Sequence, residues 1–100
     1  MWSKMSICEQ LGNVGSEVGR ARKWHEKGDT LHRDKALERA FELLDRTIAD
    51  PRWNGPRLKE LCRVREVVKD TFYGDREYND TPENLEKYFY QYAVVARKNS

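Results

Sequence analysis

The chain has little of what would staple it, anchor it or make it coat a polyanion. Two cysteines in 100 residues make no disulfide framework, which points to a reduced chain. No apolar run approaches the ~18 residues of a membrane span, and Met1-Trp2-Ser3-Lys4 does not begin a secretory signal. A cytoplasmic protein with no membrane association is expected. Nineteen basic and 17 acidic groups leave a net charge of only +2, too slight for a polyanion-coating protein. Spacings such as C-x-x-C or H-E-x-x-H do not occur, so no metal site is expected. Cys8 and Cys62 are more simply small hydrophobes inside helices. Nucleotide-loop and nucleophile-elbow motifs are missing too. Gly12-Asn13-Val14-Gly15-Ser16 has no strand before it and no Lys-Ser/Thr pair after it, so no cofactor is expected.

What is present is charge and helical periodicity. Charged residues are 36% of the chain, above the usual quarter, which favours helices with solvated outer faces. The length supports one domain over residues 1–100, with stability of order 0.1 kcal/mol per residue. From about Ser3 to Lys27, Ile7, Leu11, Val14, Val18 and Ala21 fall along one helical stripe, and Gly28-Asp29 ends it. A second helix starts at about Thr30 or Asp34 and carries Leu37, Ala40, Phe41, Leu44 and Ile48, until Asp50-Pro51 stops it. Trp53-Asn54-Gly55-Pro56 is a turn that launches a third, with Leu58, Leu61, Val64, Val68 and Phe72, ending near Tyr73-Gly74-Asp75. Asp80-Thr81-Pro82-Glu83 caps a fourth, which carries Leu85, Tyr88, Phe89, Tyr92, Val95 and Ala96. Short loops favour antiparallel neighbours. The expected fold is therefore all-α, an up-and-down four-helix bundle.

The first helix is unusual. Cys8, Gly12, Gly15 and Gly19 form a stripe of small residues beside the apolar one. Each mid-helix glycine costs about 1 kcal/mol relative to alanine, about 3 kcal/mol for three. Close approach of another helix would offset this, within the bundle or across a dimer axis. Room for a ligand is the sharper alternative, and a helix break near Gly12-Asn13 the third. Glu17 and Arg20 are spaced to pair along the helix. Arg65 sits in or beside the apolar stripe of the third helix, where a guanidinium must snorkel outward or find a carboxylate. Glu17, Glu38 and Glu66 are the candidates, and a structural salt bridge or an anion site the outcomes.

Charge is unevenly spread. Arg52, Arg57, Lys59, Arg63, Arg65 and Lys69 lie together, and Asp70, Asp75, Glu77, Asp80, Glu83 and Glu86 follow with only Arg76 among them. A basic surface with aromatics nearby can bind RNA. A positive and a negative end also suit docking onto a partner.

The chain carries two resemblances. Trp2 to Glu9, Gly12 to Ala21, Arg39 to Asp45 and Leu61 to Glu66 resemble a family of small prokaryotic helical proteins with no assigned activity. That resemblance implies a helical domain. Arg20-Ala21-Arg22-Lys23-Trp24-His25 is similar to the R-x4-H spacing of HEPN domains, four-helix bundles that include ribonucleases and partners of nucleotidyltransferases. It implies RNA cleavage across a dimer, with Arg20 facing the phosphate charge and His25 handling a proton. The motif here lies in the first helix, and Ala21 stands where a polar residue usually follows the Arg.

The resulting expectation is a helical-bundle binding or assembly module, self-associating and without catalytic activity. Gly12, Gly15 and Gly19 would serve helix packing, and Glu17, Arg20 and Arg65 would contact a ligand or partner. Homo-oligomerisation or another protein partner is expected. The alternative is a HEPN-like RNA-binding or RNA-cleaving protein through Arg20 and His25.

Overall fold

Ser6 decides where the first helix begins. Its hydroxyl accepts from the Glu9 backbone N–H at 3.1 Å, and the Glu9 carboxylate accepts from the Ser6 N–H at 2.9 Å, a reciprocal capping box. In a computed structural model that describes residues 1–74 and 77–98, α1 spans Ile7–Glu26, later than the expected start near Ser3. Trp2–Lys4 forms a separate 3-10 turn, because the chain is extended at Met5 and Ser6. Gly28, at φ +75°, ends the helical path in the left-handed conformation that glycine adopts without strain. Asp29 caps α2 (Thr30–Ile48) by accepting from the His32 N–H. Gly55, at φ +57°, turns the chain into α3 (Pro56–Tyr73). The Thr81 hydroxyl accepts from the Asn84 N–H at the start of α4 (Pro82–Lys98). Asp75 and Arg76, included in the expected turn and its charge balance, lie outside the described residues.

The four helices close into an antiparallel ring, as the loop lengths imply. Gln10 meets Asp50 at one end of the α1–α2 pair, and Trp24 stacks on His32 at the other. Asp45 meets Arg65, and Asp34 meets Tyr73, so α3 runs opposite to α2. Helix α1 packs closely on both α2 and α4, while α3 sits more loosely against its neighbours. Leu11, Val14, Val18 and Ala21 face Leu37, Ala40, Leu44, Leu61, Val68, Leu85 and Phe89 in one buried core. Two expectations need correction. Val95 is exposed at the end of α4, and Cys62 points to solvent on the outer side of α3. Both fit a helical period, but α3 and the last turn of α4 have a neighbour on only part of their circumference.

One end of the bundle is held by a polar knot. Gln10 is wholly buried; its amide donates to the Trp2 carbonyl at 2.9 Å and to Asp50 at 3.1 Å. Its own carbonyl accepts from the Trp53 indole N–H at 2.8 Å. Arg52 grips the Asp50 carboxylate at 2.8 Å, donates to the Met5 carbonyl at 2.7 Å and lies over the Trp53 ring. Nearly every donor and acceptor of Gln10 and Asp50 is thus answered, which is the condition for burying them without penalty. The knot ties the amino-terminal turn to the α2–α3 loop.

Hydrogen bonds from the Arg52 side chain hold the Asp50 carboxyl well below the usual carboxylate range, helped by the Arg52 N–H and Gln10 and opposed by burial. The folded value is depressed, so the stabilisation is complete above the ordinary unfolded value of about 4 and is lost as pH falls further. Urea midpoints of the wild type are therefore expected to fall from pH 5 towards pH 2 more steeply than those of Asp50→Asn. Equal slopes would remove Asp50 from the acid response. Gln10→Leu, similar in volume, is expected to lose about 1–3 kcal/mol in the same assay, because Asp50 and Trp53 are left short of a partner.

Candidate functional site

The glycine stripe of α1 faces α4. A Cβ at Gly15 would come 2.5 Å from Phe89 Cβ, and one at Gly12 would come 3.2 Å from Ala93 Cα. One at Gly19 would meet the Glu86 carboxylate, which the Arg22 guanidinium holds at 2.7 Å. The helix does not break near Gly12-Asn13. Gly15 lets Phe89 enter the core, where it is wholly buried, and the Gly12 backbone meets Ala93 directly.

Along the outside of this seam runs a groove of about 560 Å³. Gly12, Gly15 and Gly19 line it with Phe89 and Ala93, and Ser16, Arg20, Lys23, Lys87 and Tyr90 rim it. Tyr90 is 59% exposed, an aromatic ring beside an open groove. A smaller hollow of about 240 Å³ continues towards Glu9, Asn13 and Arg97.

The polar candidates separate. Glu17 is buried between α1 and α2; Arg20 bonds it at 2.7 Å, and Arg39 of α2 approaches to 3.6 Å. Arg65 is elsewhere. Its guanidinium bonds Asp45 at 2.7 Å and lies over the Phe41 ring at 5.0 Å. That Asp45 hydrogen bond raises the Arg65 pKa further, against partial desolvation. Arg65 therefore joins α3 to α2 through Asp45; its ion pair is made with none of Glu17, Glu38 and Glu66, of which Glu66 adds only a weaker charge effect. The antiparallel register brings Asp45 within reach, which spacing along α3 alone does not reveal. Glu17 and Arg20 are brought together, and Arg65 is not.

Arg20 and His25 also have different surroundings. Arg20 bonds Glu17 and rims the groove. His25 lies edge-on to Phe72 of α3 at 5.6 Å, and its Nδ1 accepts from Arg33 at 3.2 Å. Nearby, Tyr73 donates to Asp34, and burial followed by that carboxylate pushes the phenol pKa up to about 12. This end of the bundle is an interlocked aromatic and cationic cluster. Among the described residues, no three His, Cys, Asp or Glu side chains come together to hold a metal ion.

The buried Gln10–Asp50 pair escaped sequence reasoning, as did the pairing of Tyr88 with Tyr92, expected only as members of the α4 stripe, whose hydroxyls lie 3.2 Å apart and share Glu60. Burial, with the Tyr92 hydrogen bond second, pushes the Tyr88 pKa far up. A signal for the first pair was available. Gln10 falls next to Leu11 at the edge of the apolar stripe, and Asp50 ends a helix beside Arg52 and Trp53. No protein-family model, curated protein or solved structure matches this chain. The resemblances described above rest on the quoted residues alone.

The three glycines are predicted to respond differently to alanine. Gly15→Ala gains about 1 kcal/mol of helix propensity but overpacks against Phe89 Cβ, at a cost of about 1–3 kcal/mol or more. Urea denaturation is expected to show a net loss. Gly19→Ala gains the same propensity and displaces only a flexible carboxylate of a partly exposed ion pair, which is worth little, so it is expected between wild-type stability and about 1 kcal/mol above it. Equal effects at both positions would contradict a seam closed on Phe89.

Proposed function

We propose that this chain is a binding and assembly module, without catalytic activity of its own, that self-associates through its α1–α4 face. The observation that carries the reading is the open groove beside the exposed Tyr90. An exposed aromatic next to a glycine-lined surface supplies apolar area at low entropic cost and lets a partner backbone come close. The prominent charged groups nearby support a structural role: Arg20 is engaged by Glu17, and Glu86 by Arg22. A second copy would also add buried area to a domain with a small core.

RNA cleavage of the HEPN type is less well supported, because Arg20 and His25 would have to work in one groove. Arg20 rims the α1–α4 groove, and His25 is held by Arg33 and Phe72 on the α2–α3 side.

Light scattering during size exclusion tests the proposal. The wild type is expected to run as a dimer at ~50 µM, the range of a weak specific interface. Tyr90→Lys is expected to run as a monomer with an unchanged helical circular dichroism spectrum. A wild type that stays monomeric at this concentration overturns the reading.

A further inference from the structure

The α1–α4 face carries two stripes with the same spacing and with charges of the same sign at corresponding ends. On α1, Glu9, Asn13, Ser16, Arg20 and Lys23 step by four, three, four and three. On α4, Glu83, Lys87, Tyr90, Val94 and Arg97 repeat those steps. This is the spacing that keeps side chains on one seam between packed helices. Nine of the ten are exposed, Val94 being half-buried. Each stripe begins with a carboxylate and ends with a cation. The helices are antiparallel, so Glu9 lies near Arg97 at one end of the face, and Lys23 shares the other end with Glu86 and Lys87.

A face ordered in this way complements itself. Resting on the self-association proposed above, we infer that a second copy of this chain covers it about a two-fold axis crossing both helices near Ser16 and Tyr90. Helix α4 then lies antiparallel to the partner's α4, and α1 antiparallel to the partner's α1. The rotation sets Glu83 against the partner's Arg97 and Glu9 against the partner's Lys23. Tyr90 meets its own copy on the axis, a pairing that aromatic rings favour, and such an interface is isologous, as in most dimers.

The other two-fold, directed along the helices, is less favourable. It stacks α4 on the partner's α1, which also pairs Glu83 with the partner's Lys23 and Glu9 with the partner's Arg97, but it places Lys87 against the partner's Arg20. Like charges facing each other across an interface select against that geometry. The crossing axis puts Lys87 against Val94 and Arg20 against Asn13 instead. Several of the charged groups already have intramolecular roles that leave them at the surface, Arg20 with Glu17 among them. Glu9 closes the capping box with Ser6, and Arg97 lies over the Tyr90 ring at 5.6 Å.

Charge exchange distinguishes the two axes. The full chain and three variants are compared by sedimentation equilibrium, with circular dichroism to confirm folding. Glu83→Lys is expected to weaken the dimer about tenfold, since it sets two repulsive pairs across the axis. Adding Arg97→Glu is expected to restore the dimer, and adding Lys23→Glu to weaken it further. Both double variants carry the same change at the start of α4, so a local effect on that helix cannot mimic the difference. Rescue by Lys23→Glu in place of Arg97→Glu overturns the crossing axis and leaves self-association standing. Indifference of the dimer to all three variants overturns this face as the contact. A wild type that never dimerises overturns the self-association reading, and this geometry with it.

Discussion

The contact on which the rest of the fold depends is the one between the Gly15 backbone and Phe89. Phe89 is the largest fully buried side chain, and it reaches the core because α1 offers no Cβ at that level. Helix α1 thereby serves two neighbours at once. Its apolar stripe faces the core it shares with α2, and its glycine side faces α4. The helix-propensity penalty of three glycines, about 3 kcal/mol, is set against the burial of an aromatic ring and the approach of two backbones. Helix α1 is accordingly the best packed of the four, and α3 the most loosely held.

The two ends of the ring are secured differently. At the end where Trp2, Gln10 and Asp50 meet, a buried amide and a buried carboxylate are almost fully hydrogen-bonded, so polarity there adds order instead of a penalty. At the other end, Trp24, His25, His32, Arg33, Phe72 and Tyr73 interlock through ring contacts and cation–π pairs at the surface. Arg65 spans the sparse α2–α3 contact by combining an ion pair with Asp45 and stacking on Phe41. Long side chains fill a gap there that smaller apolar groups would leave open.

The functional reading follows from what this architecture leaves over. Closing α1 on α4 with glycines removes the side chains that would otherwise cover the outside of the seam. A groove remains, with an exposed tyrosine on its edge. Helix packing and the groove proposed for docking therefore have a common origin in the same three residues. The substitution that would most improve intrinsic helicity is also the one that would disturb the seam and fill the groove.

Fold class and most helix boundaries, though not the start of α1, could be read from the chain, because caps, breakers and apolar periodicity act over a few residues. Gly28, Gly55-Pro56 and Thr81-Pro82 all punctuate helices where local rules place them. The glycine spacing likewise marked a stretch of backbone that needed a close neighbour. Which neighbour it met, α4 or another copy, depended on how α1 is rotated about its own axis. Arg65 illustrates the same limit: its position predicted an ion pair, but only the register between α2 and α3 selected Asp45. Gln10 and Asp50 are forty residues apart, and their joint burial becomes visible only when the antiparallel packing of α1 on α2 brings them to the same end of the pair. The sequence by itself determined four amphipathic helices and the places where they stop, since those follow from interactions within a turn or two. Tertiary structure decided the partners, because helix rotation and register are set by the summed fit of side chains far apart along the chain.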